Sequence, residues 1–415
     1  MPYYEHLLES LIASNASAAQ DAQALLGSRD IFGRLRTSDP ETLFDSTHHM
    51  DKAPLLYEET VAGGAESTHL PNEACVRMRV SSAGDSVIRQ SRQYIRYQPG
   101  KSQLCLMTFD AGAAVANARQ RIGPFDAQNG AFVQRDGSAL SFVRRSYTTG
   151  SPADLAVAQA DWNIDPLDGT GPSGIILDFS KSQILFINFQ WLGVGAVVLG
   201  FDIDGELVPA HQFNHANRAN TVYNTSMNLP VRYETAATGT PPAASDLKAI
   251  CATVISEGGF QDARGYPGAA SNGVTAIGVT TRRPILSIRP SATFNSIVNR
   301  SMIVLDSLDI TCSGNPALWE LVYGGTLTNA DFAATASTLD ADVAATAIEG
   351  GQTIQSGYVV AGSGSTRNSV RNGITSKLPL SLDASGANPI NLSVVVTSMS
   401  GTASVAAALN WRSLR

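Results

Sequence analysis

Cysteine is scarce, with four residues in a chain of 415. Cys75, Cys105, Cys251 and Cys312 lie far apart and form no C-x-x-C pair. That spacing argues against a zinc site or a disulfide framework and for reduced, buried thiols made in a cytoplasm. Charge is also sparse: Asp, Glu, Lys and Arg make up 16% of the chain, and the net charge is −7. Nucleic-acid binding draws most of its affinity from neutralised phosphates, so an acidic chain without a basic run is a poor candidate. The densest basic group, Arg77, Arg79, Arg89, Arg92 and Arg96, alternates with apolar residues and reads as the wet face of strands. No run reaches the roughly 20 apolar residues of a membrane span. The start, Met1-Pro2-Tyr3-Tyr4-Glu5-His6, lacks the basic and apolar regions of a signal peptide. Neither nucleic acid nor membrane is expected as a partner.

What the chain does contain is small and apolar residues: 43% hydrophobic, 36 glycines and 19 prolines. This mix suits many short strands joined by turns, and the length implies two or three domains. The first segment stands apart. Tyr4, Leu8, Leu11, Ala18, Ala22 and Leu25, with Asn15 between them, follow alternating steps of four and three. That is a heptad seam, and a single Asn on it can fix register and strand number. Gly27 suits the helix C-terminus. The reading is an N-terminal helical arm over 1–30, with Tyr4, Leu8, Leu11, Asn15 and Leu25 as oligomerisation residues. Residues 31–73 read as an extended entry segment, broken by Pro40 and Pro54.

From residue 74 the period is two. Val76, Met78 and Val80 alternate with Cys75, Arg77 and Arg79, and Tyr94, Arg96 and Gln98 alternate likewise. Leu104 to Met107, Ile175 to Phe179 and Ile184 to Phe189 are short apolar runs. In Gln190 to Glu234, two strands flank Asp204-Gly205, the dipeptide that closes a tight hairpin. No helix-length amphipathic segment separates these strands, which disfavours a parallel α/β architecture. Residues 235–246, with Pro241-Pro242, read as a linker. Short β-like runs continue to Trp411, with Phe332 to Thr346 as a loop or surface helix. The expected fold is all-β: two antiparallel β-sandwich or jelly-roll-like domains, at 74–234 and 247–415, behind the arm.

Candidate chemistry is thin. His211 and His215 are four apart but follow a hairpin, without a convincing third metal ligand, and read as members of a polar network. Asp161, Asn163 and Asp165 begin like a calcium loop, yet Pro166 and Pro172 occupy its sixth and twelfth positions. Turns stabilised by Asp side chains are the better account. Asp202, Asp204 and Glu206 sit at a hairpin tip rather than in the cleft that two glycosidase carboxylates need. Pro99-Gly100-Lys101-Ser102 ends like a phosphate loop, but Tyr94-Ile95 stands where the first glycine belongs. Ser146, Ser173 and Ser226 lack a G-x-S-x-G context. No catalytic residue, cofactor or metal is expected, and the four tryptophans read as core or interface anchors.

Four stretches carry a family likeness: RYQPGKSQL (Arg96 to Leu104), RIGPFDAQNGAF (Arg121 to Phe132), WNIDPLDG (Trp162 to Gly169) and QWLGVG…HQFNHAN…LPVRYE (Gln190 to Glu234). Thr42 to Ser46, Gly350-Gly351, Ser356-Gly357-Tyr358 and Val405 to Arg412 extend it. With these, the chain resembles a large structural protein of tailed-bacteriophage virions. The resemblance implies a non-enzymatic virion component, on head or tail, that assembles with itself and with other virion proteins after synthesis in the host cytoplasm. A homo-trimer is favoured only by that resemblance. A receptor- or glycan-binding tail module is the alternative, and a carbohydrate depolymerase stands third.

Overall fold

A computed structural model describes residues 38–261, 265–362, 368–374 and 378–415. Regular structure among them is almost entirely β-strand, relieved by one short 3-10 turn at Gln159–Asp161. The arm over 1–30, with Tyr4, Leu8, Leu11, Asn15 and Leu25, lies outside the described residues.

The first unit runs through β1 (Glu41–Ser46), β2 (Tyr57–Ala62), β3 (Glu66–Leu70), β4 (Cys75–Val80), β5 (Ser86–Ser91), β6 (Gln103–Asp110), β7 (Ala118–Pro124) and β8 (Gly130–Asp136). It continues with β9 (Ala139–Ser146), β10 (Ala153–Ala158), β11 (Ser182–Phe189), β12 (Val197–Ile203), β13 (Glu206–Phe213), β14 (Val231–Ala237) and β15 (Ser245–Ser256). They form an eight-stranded sheet, β13-β12-β11-β6-β15-β4-β3, in which β1 also pairs with β15. A seven-stranded sheet, β10-β9-β8-β7-β14-β5-β2, completes the unit. Alternation explains the packing. On β6 Cys105, Met107 and Phe109 are buried while the residues between them are half-exposed, and on β14 Val231 and Tyr233 join the same core. Phe142 stacks on Trp162 at 4.1 Å and lies 5.9 Å from Phe201. Such ring pairs contribute about 0.5–1.5 kcal/mol each beyond buried area.

One charged network sits within this unit. Arg89 is 1% exposed, donates to Glu59 at 2.6 Å and lies 4.2 Å over the Tyr57 ring. It also bonds His48 Nε2 at 2.7 Å, while His48 Nδ1 faces the Ile250 carbonyl at 2.6 Å. Burial, then the Arg89 charge, lowers the His48 pKa to about 4. Neutral His48, donating from Nδ1 and accepting at Nε2, satisfies both contacts.

The second unit comprises β16 (Tyr266–Ser271), β17 (Ile277–Val279), β18 (Arg283–Pro290), β19 (Thr293–Phe294), β20 (Ile297–Val298), β21 (Met302–Ser313), β22 (Ala317–Tyr323) and β23 (Thr326–Thr328). After these come β24 (Ala333–Ala334), β25 (Leu339–Asp342), β26 (Ala347–Glu349), β27 (Gln352–Val359), β28 (Asn368–Gly373), β29 (Leu392–Ser398) and β30 (Ala403–Leu414). A sheet ordered β16-β30-β21-β28, with β17 on β30, faces a six-stranded sheet ordered β24-β25-β18-β29-β22-β27. Trp319, Trp411, Leu409 and Val394 are among the residues that fill this separate core.

Three expectations are corrected. Residues 31–73 are more than an entry segment, because β1, β2 and β3 are paired members of the two first sheets. The boundary placed at 235–246 lies inside the first unit. There the chain leaves the seven-stranded sheet on β14 and enters the middle of the other on β15, which pairs with both β4 and β6. Pro241-Pro242 turns that crossover, and Asp246 anchors it through two 2.7 Å bonds from Arg79. The connector between the units follows Ser256 instead. The stretch from Phe332 to Thr346 contains the short strands β24 and β25.

Candidate functional site

Because β-strand side chains alternate, the seven-stranded sheet has a second face that turns away from the core. From β14 it carries Arg232 and Glu234, from β7 Arg121, from β9 Arg145 and from β10 Asp154. They line a depression of about 620 Å³. Beneath them Phe125, Phe132 and Val143 form a small buried apolar cluster, with Arg232 5.0 Å from the Phe125 ring and Arg145 5.3 Å from Phe132.

The charges in this trough satisfy one another. Arg145 grips Asp154 with two bonds of 2.8 and 2.9 Å. Arg232 donates to Glu234 at 2.6 Å, and Arg121 reaches the same carboxylate at 3.2 Å. Arg121 Nε and Arg145 Nη1 are taken up by Gln134 and by the Asp126 carbonyl. Burial pushes the Glu234 carboxyl up, but Arg232, Arg121 and Arg145 outweigh it and hold it below the usual carboxylate range. Asp154 is held low in the same way, by Arg145 and Arg121 against its burial. Both carboxylates are therefore anions near neutral pH, with no proton to give a leaving group.

A second depression lies where the two sandwiches meet. At this joint Arg300 stacks 4.1 Å over the Tyr94 ring and donates to the Asp383 carbonyl at 2.9 Å. Glu58, on the outward side of β2, accepts from Gln90 at 3.3 Å. Burial raises its carboxyl to about 7, Asp383 adding to the rise and Arg92 and Arg300 opposing it. Beside the joint opens a cleft of about 450 Å³, walled by β1, the connection through Gln93, Ile95 and Arg96, and the start of β21.

The connector is tied down by the turn that imitated a phosphate loop. Lys101 Nζ donates to the Gly259 carbonyl at 2.8 Å, and Ser102 Oγ to the Glu257 carboxylate at 2.6 Å. Gln98 and Gln261 exchange two further bonds. The Asp204-Gly205 hairpin forms as expected, with φ of 57° and 86° at its two central residues. His211 lies on β13 and accepts from the Asn163 amide, whereas His215 lies beyond it, stacked 4.0 Å from Tyr223. Burial lowers both imidazoles. Asp165 spends its oxygens on the amides of Leu167 and Ser173, and Asp168 caps Thr170. Among the described residues no group of three His, Cys, Asp or Glu side chains could hold a metal, and no helix is long and apolar enough to cross a membrane.

Of the basic group, Arg77 and Arg79 are half-exposed and paired to Glu66 and Asp246, as a wet strand face requires. Arg89 departs from that reading, because its partners lie inside the unit. The trough was missed entirely. Its only local trace is the i, i+2 pair Arg232 and Glu234, since Arg121, Arg145 and Asp154 come from distant strands.

No family model matches the sequence, and no curated protein matches it at a significant level. Among solved structures, the chain is similar to a GH43 glycoside hydrolase at 13% identity and a TM-score of 0.29, covering 53% of this chain and 41% of that one. It thus spans about two fifths of that enzyme's length. A glycosyl hydrolase family 16 protein from Mycobacterium smegmatis str. MC2 155 gives 9% identity and a TM-score of 0.35, over 52% of this chain and all of that one. The CBM2 module of the evolved Dit of Lactobacillus casei BL23 phage J-1 gives 8% and 0.34, over 55% and all of that chain. Likenesses this distant carry no argument about activity.

Proposed function

We propose that the protein is a non-enzymatic structural component of a tailed-phage virion, made in the host cytoplasm and assembled by protein–protein contacts. One observation carries this reading. Each of the four main sheets ends in a strand that exposes a large apolar side chain: Leu207 on β13, Leu155 on β10, Tyr266 on β16 and Tyr358 on β27. Pro209 and a bulge blunt β13, Pro267 blunts β16 and a bulge interrupts the β22–β27 pair. The edges therefore resist open-ended strand addition, and what supports a tiled subunit is the exposed apolar side chain each presents to a neighbour. The arm over 1–30 is read as helical, with its seam of Tyr4, Leu8, Leu11, Asn15 and Leu25 serving self-association, a trimer favoured. Large permanent interfaces need no catalytic residue.

A receptor- or glycan-binding module is the second reading, favoured by the open trough on the seven-stranded sheet. Most of its donors are already engaged, Arg232 Nε excepted, which weakens that reading, and its ionised carboxylates weaken the depolymerase reading further. Incubating the protein with host-surface polysaccharides separates the three. The structural role gives neither new reducing ends nor retention on immobilised glycan. Retention abolished by Arg121→Ala would establish the glycan module, and reducing ends lost in Glu234→Gln would establish the enzyme.

A further inference from the structure

We propose that the trough on the seven-stranded sheet receives the β12–β13 hairpin tip, Asp202 to Glu206, of a second copy of this chain. The contact rests on the self-assembly read above and gives it a pair of surfaces. The trough carries more positive charge than its own carboxylates balance: Arg121, Arg145 and Arg232 line it against Asp154 and Glu234. Arg119 adds a further cation, since it precedes Arg121 by two on β7 and projects from the same face, beside Ala236 of the lining. Arg119 makes no hydrogen bond or ion pair through its side chain among the described residues, and its Nε is buried without a partner, as is Nε of Arg232. The other nearby carboxylates do not answer it. Asp126 accepts from the Gln128 and Asn129 amides, and Asp136, opposite Arg119 on β8, forms no ion pair with it. A guanidinium with unmet donors in a partly buried face is costly, and an incoming carboxylate relieves that cost.

The hairpin tip supplies that charge on a preformed projection. Asp204 and Glu206 are exposed and Asp202 half-exposed, none of them in an ion pair among the described residues, and the hairpin from Val197 to Phe213 holds no Lys or Arg. Its turn is fixed by positive φ at Asp204 and Gly205 and by the Gly205 amide, which donates to Asp202 Oδ1 at 3.1 Å. Docking a rigid tip costs little ordering. The depression of about 620 Å³ is of the size that holds small ligands and has room for the tip's side chains. Strands β12 and β13 end the eight-stranded sheet, whereas the trough lies on the outer face of the other sheet. A rigid tip therefore reaches a neighbour's trough and not its own. On a chain of net charge −7, the trough is where an acidic copy is attracted rather than repelled. Leu207 beside the tip and Leu155 beside Asp154, both exposed, add apolar area at the rim. The contact joins unlike surfaces, so it runs head to tail and can close into a ring.

Sedimentation of the full chain tests this, with circular dichroism confirming the fold of each variant. One variant, Asp204→Asn with Glu206→Gln, neutralises the tip and keeps at position 204 a residue that tolerates positive φ. The other, Arg119→Gln, breaks no contact among the described residues. The tip variant should self-associate about tenfold more weakly, a loss of about 1.4 kcal/mol, and Arg119→Gln about threefold more weakly. Combining them should cost no more than the tip variant alone, because both act on one contact. Wild-type association should also weaken as salt rises. Unchanged association in the tip variant would overturn the contact and leave assembly to other surfaces. Losses that multiply in the combination would overturn it as well, by placing tip and trough at separate contacts. Polygalacturonate that binds wild type, loses binding with Arg119→Gln and leaves self-association unchanged would assign the trough to an acidic glycan, and so overturn it. The expected losses in solution, with the subunit absent from particles, would defeat the virion reading and leave the contact standing.

Discussion

Glu58 makes the joint between the sandwiches sensitive to pH. Its carboxyl faces Gln90, Arg92 and Arg300, the Asp383 carboxylate and the Ala384 amide. Its folded pKa is raised from 4.5 to about 7, burial being the main cause. The folded state therefore holds an extra proton between those values. The stabilisation is fully present below about 4.5 and is lost as pH rises through about 7. A displacement of that size, at about 1.4 kcal/mol per pH unit, corresponds to about 3 kcal/mol. Partial exposure of the side chain reduces this to ~1–2 kcal/mol. Glu58→Gln removes the titration while keeping shape and neutrality. Urea unfolding followed at about pH 5 and about pH 8 should show wild type losing ~1–2 kcal/mol relative to the variant at the higher pH. Parallel pH profiles for the two proteins would refute the reasoning, as would a wild type that gains on the variant as pH rises.

Other perturbations follow from the same contacts. Arg89→Ala leaves the Glu59 carboxylate without its buried partner and should cost on the order of 3–5 kcal/mol in chemical denaturation; a loss below ~1 kcal/mol would contradict the network. The His48 pKa is depressed from 6.5 to about 4, so the stability it contributes is present above 6.5 and lost as pH falls through about 4; acid unfolding should show this, and a His48→Gln variant should flatten it. A Cβ at Gly357 would lie 2.7 Å from the Trp319 ring across the β22–β27 pair, so Gly357→Val should cost ~1–3 kcal/mol by calorimetry. Limited proteolysis should spare 235–246, which runs directly between the paired strands β14 and β15; early cuts there would contradict the assignment of β15 to the first unit.

The all-β class and most of the individual strands were legible because alternation is a local property. Val76-Met78-Val80 and Asp204-Gly205 each announce their structure within a few residues. Domain membership was less so. Thr235 to Asp246 has the composition of a linker, but a crossover between two sheets of one sandwich needs the same small, polar, proline-bearing residues. Only the pairing of β15 with both β4 and β6 distinguishes the two cases. Tyr94 to Gln98 and Ile175 to Phe179 alternate or run apolar as strands do, yet form extended connections with single bridges at Ile95 and Ile176. The trough was illegible for a different reason. Its five charged residues come from β7, β9, β10 and β14, and sheet order, which short-range pattern does not encode, brings them together.

A structural role in a particle is tested most directly by counting this chain in purified virions by quantitative mass spectrometry. A structural subunit should be present at a fixed copy number that survives high-salt washing, in multiples of three if the trimer holds. Absence from washed particles, or a copy number that varies between preparations, would contradict it.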